Sequence, residues 1–422
     1  MFGRSQIYRR DVGGCLQRSS IRAPERMGRG RYTDFLERPE MSPLATQIRA
    51  NNFSLLRILF ATLVILSHSS ELIDGNRSRE ILTRLFGTIS FGILAVDGFF
   101  VVSGYLITKS YLSSEPISYL FKRILRIYPG FFVAFIISIA LCSYFPAHST
   151  MMPKIELFDN VLNSIVLISP GIKTAYTGSF YPSSNASMWT ISYEFHCYLM
   201  IMLLGFVGLF KRARILLLIT IFAVSAYLVY PENHVLGDPS SSISVAAGFG
   251  TQVIHKIKSI SLESPIEDLR FLGIFLVGSC FYVFRDVIPY RAGFAAVAAV
   301  LLLGCLFSEH LAEPGLAVFG GYIIFWFAFH VEPFSISRFF NKTDLSYGIY
   351  LYAWPIQKVL ISQLPSITPN ELFFLTLILC LVMAYFSWSF IEKPFLNLRS
   401  LYRPHGGGHR LALDVGSEPA TK

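Results

Sequence analysis

Charge is what this sequence has least of. Only 15% of its 422 residues are Asp, Glu, Lys or Arg, where a soluble domain carries about a quarter. Together with a hydrophobic content of 53% and a mean hydropathy of +0.51, that shortage excludes a soluble enzyme and a disordered regulator. Cysteine is scarce as well. Cys15 lies in the polar N-terminal stretch, while Cys142, Cys197, Cys280, Cys305 and Cys380 lie in or beside apolar runs. No CxxC pair and no Cys/His ligand spacing occurs, so neither a disulfide scaffold nor a metal site is expected. Also missing are a Walker GK[ST] loop, a dinucleotide fingerprint, an HExxH helix and a GxSxG elbow.

What is present is a series of apolar runs of bilayer-crossing length, at 53–72, 88–107, 128–146, 188–210, 214–231, 270–284, 292–308, 315–331, 344–363 and 371–391. The expected fold is therefore all-α and integral to a membrane, with ten transmembrane helices inside residues 51–396. A basic arm (1–50) precedes them and a tail (397–422) follows, both expected to be poorly ordered. The arm is Arg-rich and lacks the apolar core of a signal peptide. The net charge of +9 could indicate nucleic-acid binding. The basic residues cluster beside apolar runs, however, as orientation signals do, and no nucleic-acid partner is expected. Placing both termini in the cytoplasm puts most of the 36 Lys and Arg residues on the inner side. Residues 147–187 and 232–269 then face outward, and the weak apolar run 243–254 reads as re-entrant or interfacial.

Ionisable side chains inside spans cost several kcal/mol and so mark candidate sites. Arg57 and His68, eleven residues apart, point the same way on a helix and are separated by roughly 16 Å along its axis. Arg57 sits near the cytoplasmic end, where it binds a ligand or snorkels to the interface. His68 is embedded towards the outer side, as a reactive group or a helix–helix hydrogen bond. Glu194 reaches a similar depth on the fourth span, so a His68–Glu194 pair is expected, the carboxylate fixing the imidazole tautomer. The plainer reading of Glu194 is a partner for an Arg or Tyr. Asp97, in mid-span beside Gly98, Ser103 and Gly104, belongs to close helix packing or to the site. Arg123 and Arg126 share a helix face beside Lys122, a fork that suits a phosphate-bearing ligand as well as it suits an orientation signal. Tyr176, Phe180, Tyr181 and Asn185 in the outer connection suit stacking against sugar faces, although interfacial aromatic belts share that composition.

Taken together, these motifs resemble the membrane-bound acyltransferase family three, which acylates lipopolysaccharide, exopolysaccharide and other glycans. The resemblance rests on six features in the family's order: the spacing of Arg57 and His68; Asp97-Gly98-Phe99-Phe100-Val101-Val102-Ser103-Gly104-Tyr105-Leu106-Ile107-Thr108; the basic stretch 122–129; residues 187–194; Ser346-Tyr347-Gly348-Ile349-Tyr350-Leu351-Tyr352; and Glu392-Lys393-Pro394. It implies an acyl (acetyl) group taken from cytoplasmic acyl-CoA and placed on a glycan hydroxyl beyond the cell inner membrane. It makes His68 the general base or a transient acyl carrier, with Glu194 and Asp97 as further catalytic candidates. Arg57, Arg123, Arg126 and Tyr128 become contacts for coenzyme A, and Tyr350, Trp189 and Asn185 contacts for substrate. A single through-membrane cavity would join the two sides. Many members carry a His after the Tyr-Leu-Tyr stretch, whereas Ala353-Trp354-Pro355 follows here. Some members append an esterase-like domain. This sequence ends soon after its last span, so transfer is expected to finish within the membrane domain or through a partner protein of polysaccharide biosynthesis. The competing class is a transporter or flippase of a sugar or lipid-linked oligosaccharide, which the lack of internal repeats disfavours.

Overall fold

The computed structural model describes residues 51–145, 154–170, 176, 179–229, 265–331, 340 and 343–400. The basic arm, the tail beyond 400 and the run 243–254 lie outside them. Among the described residues all regular structure is helical and no strand occurs. In chain order the main helices are α1 Phe53–Asp74, α2 Phe91–Leu112, α3 Pro116–Tyr144, α4 Lys154–Ile165, α5 Thr190–Phe206, α6 Ala213–Val229, α7 Pro265–Val283, α8 Ala292–Cys305, α9 Ala312–His330, α10 Ser346–Gln363 and α11 Pro369–Asn397. Among the described residues, each of the ten expected segments holds a helix. Five of them, α1, α2, α3, α9 and α11, are long and apolar enough to cross a bilayer, and α6 and α8 contain shorter apolar stretches.

The departures lie at the helix ends. α2 starts at Phe91, three residues later than its apolar run, because the Ser90 side chain caps it by accepting from the Ile93 N–H (3.1 Å). α3 starts far earlier than expected. Pro116 occupies its first turn, where a missing N–H costs nothing, and Pro129 is absorbed inside the helix. The basic stretch holding Lys122, Arg123 and Arg126 is therefore helical, not a connecting loop. α7 begins at Pro265, with Glu267 and Asp268 in a first turn whose dipole favours them. α4, in the connection 147–187, was not foreseen. α9 and α11 each contain a π-helical turn, at Leu316–Gly320 and Trp388–Glu392.

Large apolar side chains cover the outward faces, among them Phe132 and Ile136 on α3, Phe222 on α6, Val300 on α8 and Phe386 on α11. Polar groups turn inward, as they must where no water can satisfy them. The tightest crossing joins α2 to α7. A Cβ on Gly104 would overlap the carbonyl oxygen of Phe275, and one on Gly278 would overlap that of Val101. Thr108 donates to Ser279 beside this crossing (2.9 Å). α1 is pinned to α10 by Gln357, whose Nε2 donates to the Ile65 carbonyl (3.1 Å) and to Ser69 Oγ (2.8 Å). The helix carrying Arg57 and His68 is thus held between α2 and α10.

Candidate active site

At one end of the bundle α1, α2, α3, α5, α10 and α11 surround a cavity of about 250 Å³. Its lining holds five cations, Arg57, Lys122, Arg123, Arg126 and Arg399, against two carboxylates, Glu194 and Asp344, so it favours an anion. Arg57 and Arg126 are already paired. Each donates to Asp344 Oδ2 at 2.6 Å, Ser346 donates to Asp344 Oδ1 (2.7 Å), and Arg126 also reaches Glu392 (3.1 Å). Burial alone would raise the Asp344 carboxyl, but the guanidiniums of Arg126 and Arg57 and the Ser346 hydroxyl outweigh it and hold it well below the usual carboxylate range. Lys122, Arg123 and Arg399 have no carboxylate within ion-pair distance among the described residues. Lys122 donates to Ser114 (2.8 Å), and Arg123 lies over the rings of Tyr119 and Tyr198 with its buried Nε unpartnered. An unsatisfied guanidinium N–H in a cation-rich cavity is what a phosphate group would complete.

A second cavity of about 50 Å³ continues inward, sharing Arg57, Ser103, Glu194 and Tyr347 with the first. Glu194 accepts from Ser103 (3.2 Å) and Tyr198 (2.5 Å) at the junction. An aromatic layer closes the inner end. Phe99 packs against Phe60 and Tyr350 with ring centroids 5.5 and 6.1 Å apart, and the Tyr350 hydroxyl meets Thr190 Oγ1 at 2.7 Å. His68 lines neither cavity. Neither of these two cavities reaches the imidazole from the basic end. There are two connected cavities at the basic end, and the imidazole lies beyond the aromatic layer.

His68 has its own surroundings. Nδ1 lies 3.5 Å from Glu71 Oε2, an ion-pair distance rather than a well-made hydrogen bond, and the ring meets Trp354 edge-on at 4.9 Å. Arg77 donates to Glu71 Oε1 from both Nε (2.9 Å) and Nη2 (2.7 Å). Glu194 is thus not the carboxylate beside His68; it faces the cavities one helix away. Glu71 was legible, since a residue three positions on shares a helix face, but it lies at the polar end of the span.

Other expected site residues are placed differently. Asp97 is fully buried against Arg270 (2.7 Å), which also binds Glu313 (2.6 Å), and lines neither cavity. Asn185 donates to Ser138 (3.0 Å) and to the Leu351 carbonyl (2.9 Å), clamping α3 to α10. Trp189 packs on Tyr193 and Phe271. Tyr128 donates to the Ile165 carbonyl (3.1 Å) outside the cavities. Tyr347, under the Arg126 guanidinium and lining both cavities, was missed. So were Asp344 and Arg399.

A helical bundle sealed in apolar surface, with a cation-lined cavity at one end and an imidazole–carboxylate pair towards the other, has the parts of a membrane-integral group-transfer enzyme. The chain belongs to the acyltransferase family, whose model, described as an acyltransferase domain, matches residues 51–392. It is a multi-pass membrane protein and an acyltransferase. It is similar to the O-acetyl transferase of Shigella phage Sf6, with 26% identity over 83% of this chain and 98% of that protein. It is also similar to nodulation protein 10 of Rhizobium leguminosarum bv. viciae, with 27% identity over 83% of this chain and 94% of the relative. The peptidoglycan O-acetyltransferase OatA of Listeria monocytogenes is 24% identical over 76% of this chain, which covers 55% of that longer protein. No solved structure matches.

Proposed function

We propose that this chain moves an acetyl group from cytoplasmic acyl-CoA to a hydroxyl of an envelope or exported polysaccharide, or of its lipid-linked precursor, in the cell inner membrane. The observation that carries this reading is the division of polar groups along α1. Arg57 belongs to the cation-lined cavity, His68 lies beyond the aromatic layer, and roughly 16 Å of helix separates them. The O-acetyl transferase names of two relatives support the acyl group and its oxygen acceptor. With the basic end cytoplasmic, Lys122, Arg123 and Arg399 fit the phosphates of coenzyme A. Arg57 and Arg126, balanced by Asp344, shape the wall beneath them. Acyl-CoA supplies the activated thioester, and Tyr350 and Phe99 border the path its acyl end would take.

His68 serves at the far end in one of two ways. As general base, its free nitrogen takes the proton of the acceptor hydroxyl while that oxygen attacks the thioester carbonyl. The C–S bond then breaks, and the proton passes to the departing thiolate. As acyl carrier, the same nitrogen forms a C–N bond to the acyl group as the thiol leaves, and the hydroxyl displaces it in a second step. A glycan-assembling partner protein would present the acceptor. The test is acetyl-labelled CoA given to membranes holding the protein and its glycan. Label should enter the glycan with release of free CoA, and His68→Ala should abolish both. Glycan acetylation undiminished by His68→Ala, or glycan movement with no CoA consumed, would overturn the reading.

A further inference from the structure

We infer that Glu71 and Arg77 are positioning residues for His68, forming a chain Arg77–Glu71–His68 that fixes which imidazole nitrogen reacts. The inference rests on the function proposed above. Glu71, buried to 4% exposure, stands one turn after His68 on the same face of α1. α1 then stops at Gly75, whose left-handed conformation (φ 74°) returns its N–H to the Glu71 carbonyl at 2.8 Å. Phe180 packs where a Cβ on Gly75 would sit, so the chain turns sharply there. Asn76 starts the next short turn by accepting from the Ser78 N–H (3.0 Å), and this brings Arg77 back over Glu71.

The manner of the Arg77–Glu71 contact is informative. An arginine and a carboxylate paired only with each other prefer a fork in which two N–H groups meet two oxygens. Here both N–H groups converge on Oε1 and leave Oε2 turned to His68 Nδ1. The neighbouring charges have hydrogen-bond partners of their own. Glu80 is taken up by Ser67 (3.0 Å) and the Phe91 N–H, and Lys358 on α10 by Ser179 (2.8 Å) and the Tyr181 carbonyl (2.7 Å). The Tyr181 hydroxyl faces the Glu71 carboxylate from the remaining side. Trp354 packs edge-on against the imidazole from α10. A carboxylate at Nδ1 holds the proton there, exposes Nε2 as the reacting nitrogen, and stabilises the imidazolium once Nε2 has taken a proton.

Three variants of the full-length protein in nanodiscs test this, with acetyl transfer measured as above: Glu71→Gln, Arg77→Gln and the double variant. Glu71→Gln should lower kcat about 100-fold with the KM for acyl-CoA unchanged. Arg77→Gln, in a half-exposed loop, should give a smaller loss. The double variant should be no worse than Glu71→Gln alone, because Arg77 acts only through Glu71. Losses that multiply, or a rise in KM without a fall in kcat, would show separate structural effects and overturn the inference. So would Glu71→Gln at full rate beside an inactive His68→Ala, an outcome that leaves the proposed function standing. Should Glu71→Gln not fold, a wild-type kcat for the Arg77→Gln protein would overturn the inference by itself.

Discussion

Asp344 shows how a single side chain can decide the state of several others. Its carboxylate joins α1 to α3 through Arg57 and Arg126, so removing it takes the carboxylate from Arg57 and leaves Arg126 with Glu392 alone. Asp344→Asn should cost about 3 kcal/mol at pH 7, the lower end of what breaking a buried pair costs. Because the folded carboxyl is held below its usual range, the stabilisation is complete above the ordinary carboxylate value and is lost as pH falls through the folded one. The unfolding midpoints of wild type and Asp344→Asn in micelles should therefore stay apart from pH 7 to about pH 4 and converge below it. A gap that held constant down to pH 3 would contradict this. Asp344 is hard to find in the sequence because it stands at the first position of the run 344–363, just ahead of the start of α10, where a hydropathy pattern sees only the edge of a span. His68 and Arg57 stand out for the opposite reason, as charge inside apolar surroundings. Which carboxylate each would meet depends on neighbouring helices, and depth alone wrongly favours Glu194 over Glu71.

Among the helices, the α2–α7 crossing is the least forgiving contact. Gly104 and Gly278 each meet backbone of the opposite helix, so an added methyl group cannot be relieved by a rotamer change. Gly278→Ala should lower stability by about 3 kcal/mol. Gly293→Ala on α8, where a Cβ meets nothing within 4 Å, should leave it nearly unchanged. Thermal unfolding in one detergent checks both, and equal effects would refute the packing account. The helices themselves are largely legible, since long apolar runs have few alternatives to helix in lipid. Their ends are less so. Capping at Ser90, the proline start of α3 and the acidic first turn of α7 all lie in polar sequence that hydropathy discounts. The π turns of α9 and α11 have no sequence mark at all, although the one at Trp388–Glu392 delivers Glu392 to Arg126.

Across the whole molecule, the arrangement is a basic cavity and a distant imidazole held on one continuous helix. The sequence already separates these two ends by charge and depth. What it cannot supply is the material between them, because Phe60, Phe99 and Tyr350 come from three different helices and look like ordinary apolar or aromatic filling. That layer has an electrical meaning. A polar cavity that opens at one end of a membrane-spanning bundle and reaches inward is part of an ion channel, and the aromatic layer at its inner end is what keeps it from becoming the rest. On this view Phe99 is an insulator first and a passage wall second. Liposomes carrying Phe99→Ala should then dissipate an imposed pH gradient measurably faster than liposomes carrying the wild type, and equal decay would show that the seal lies elsewhere.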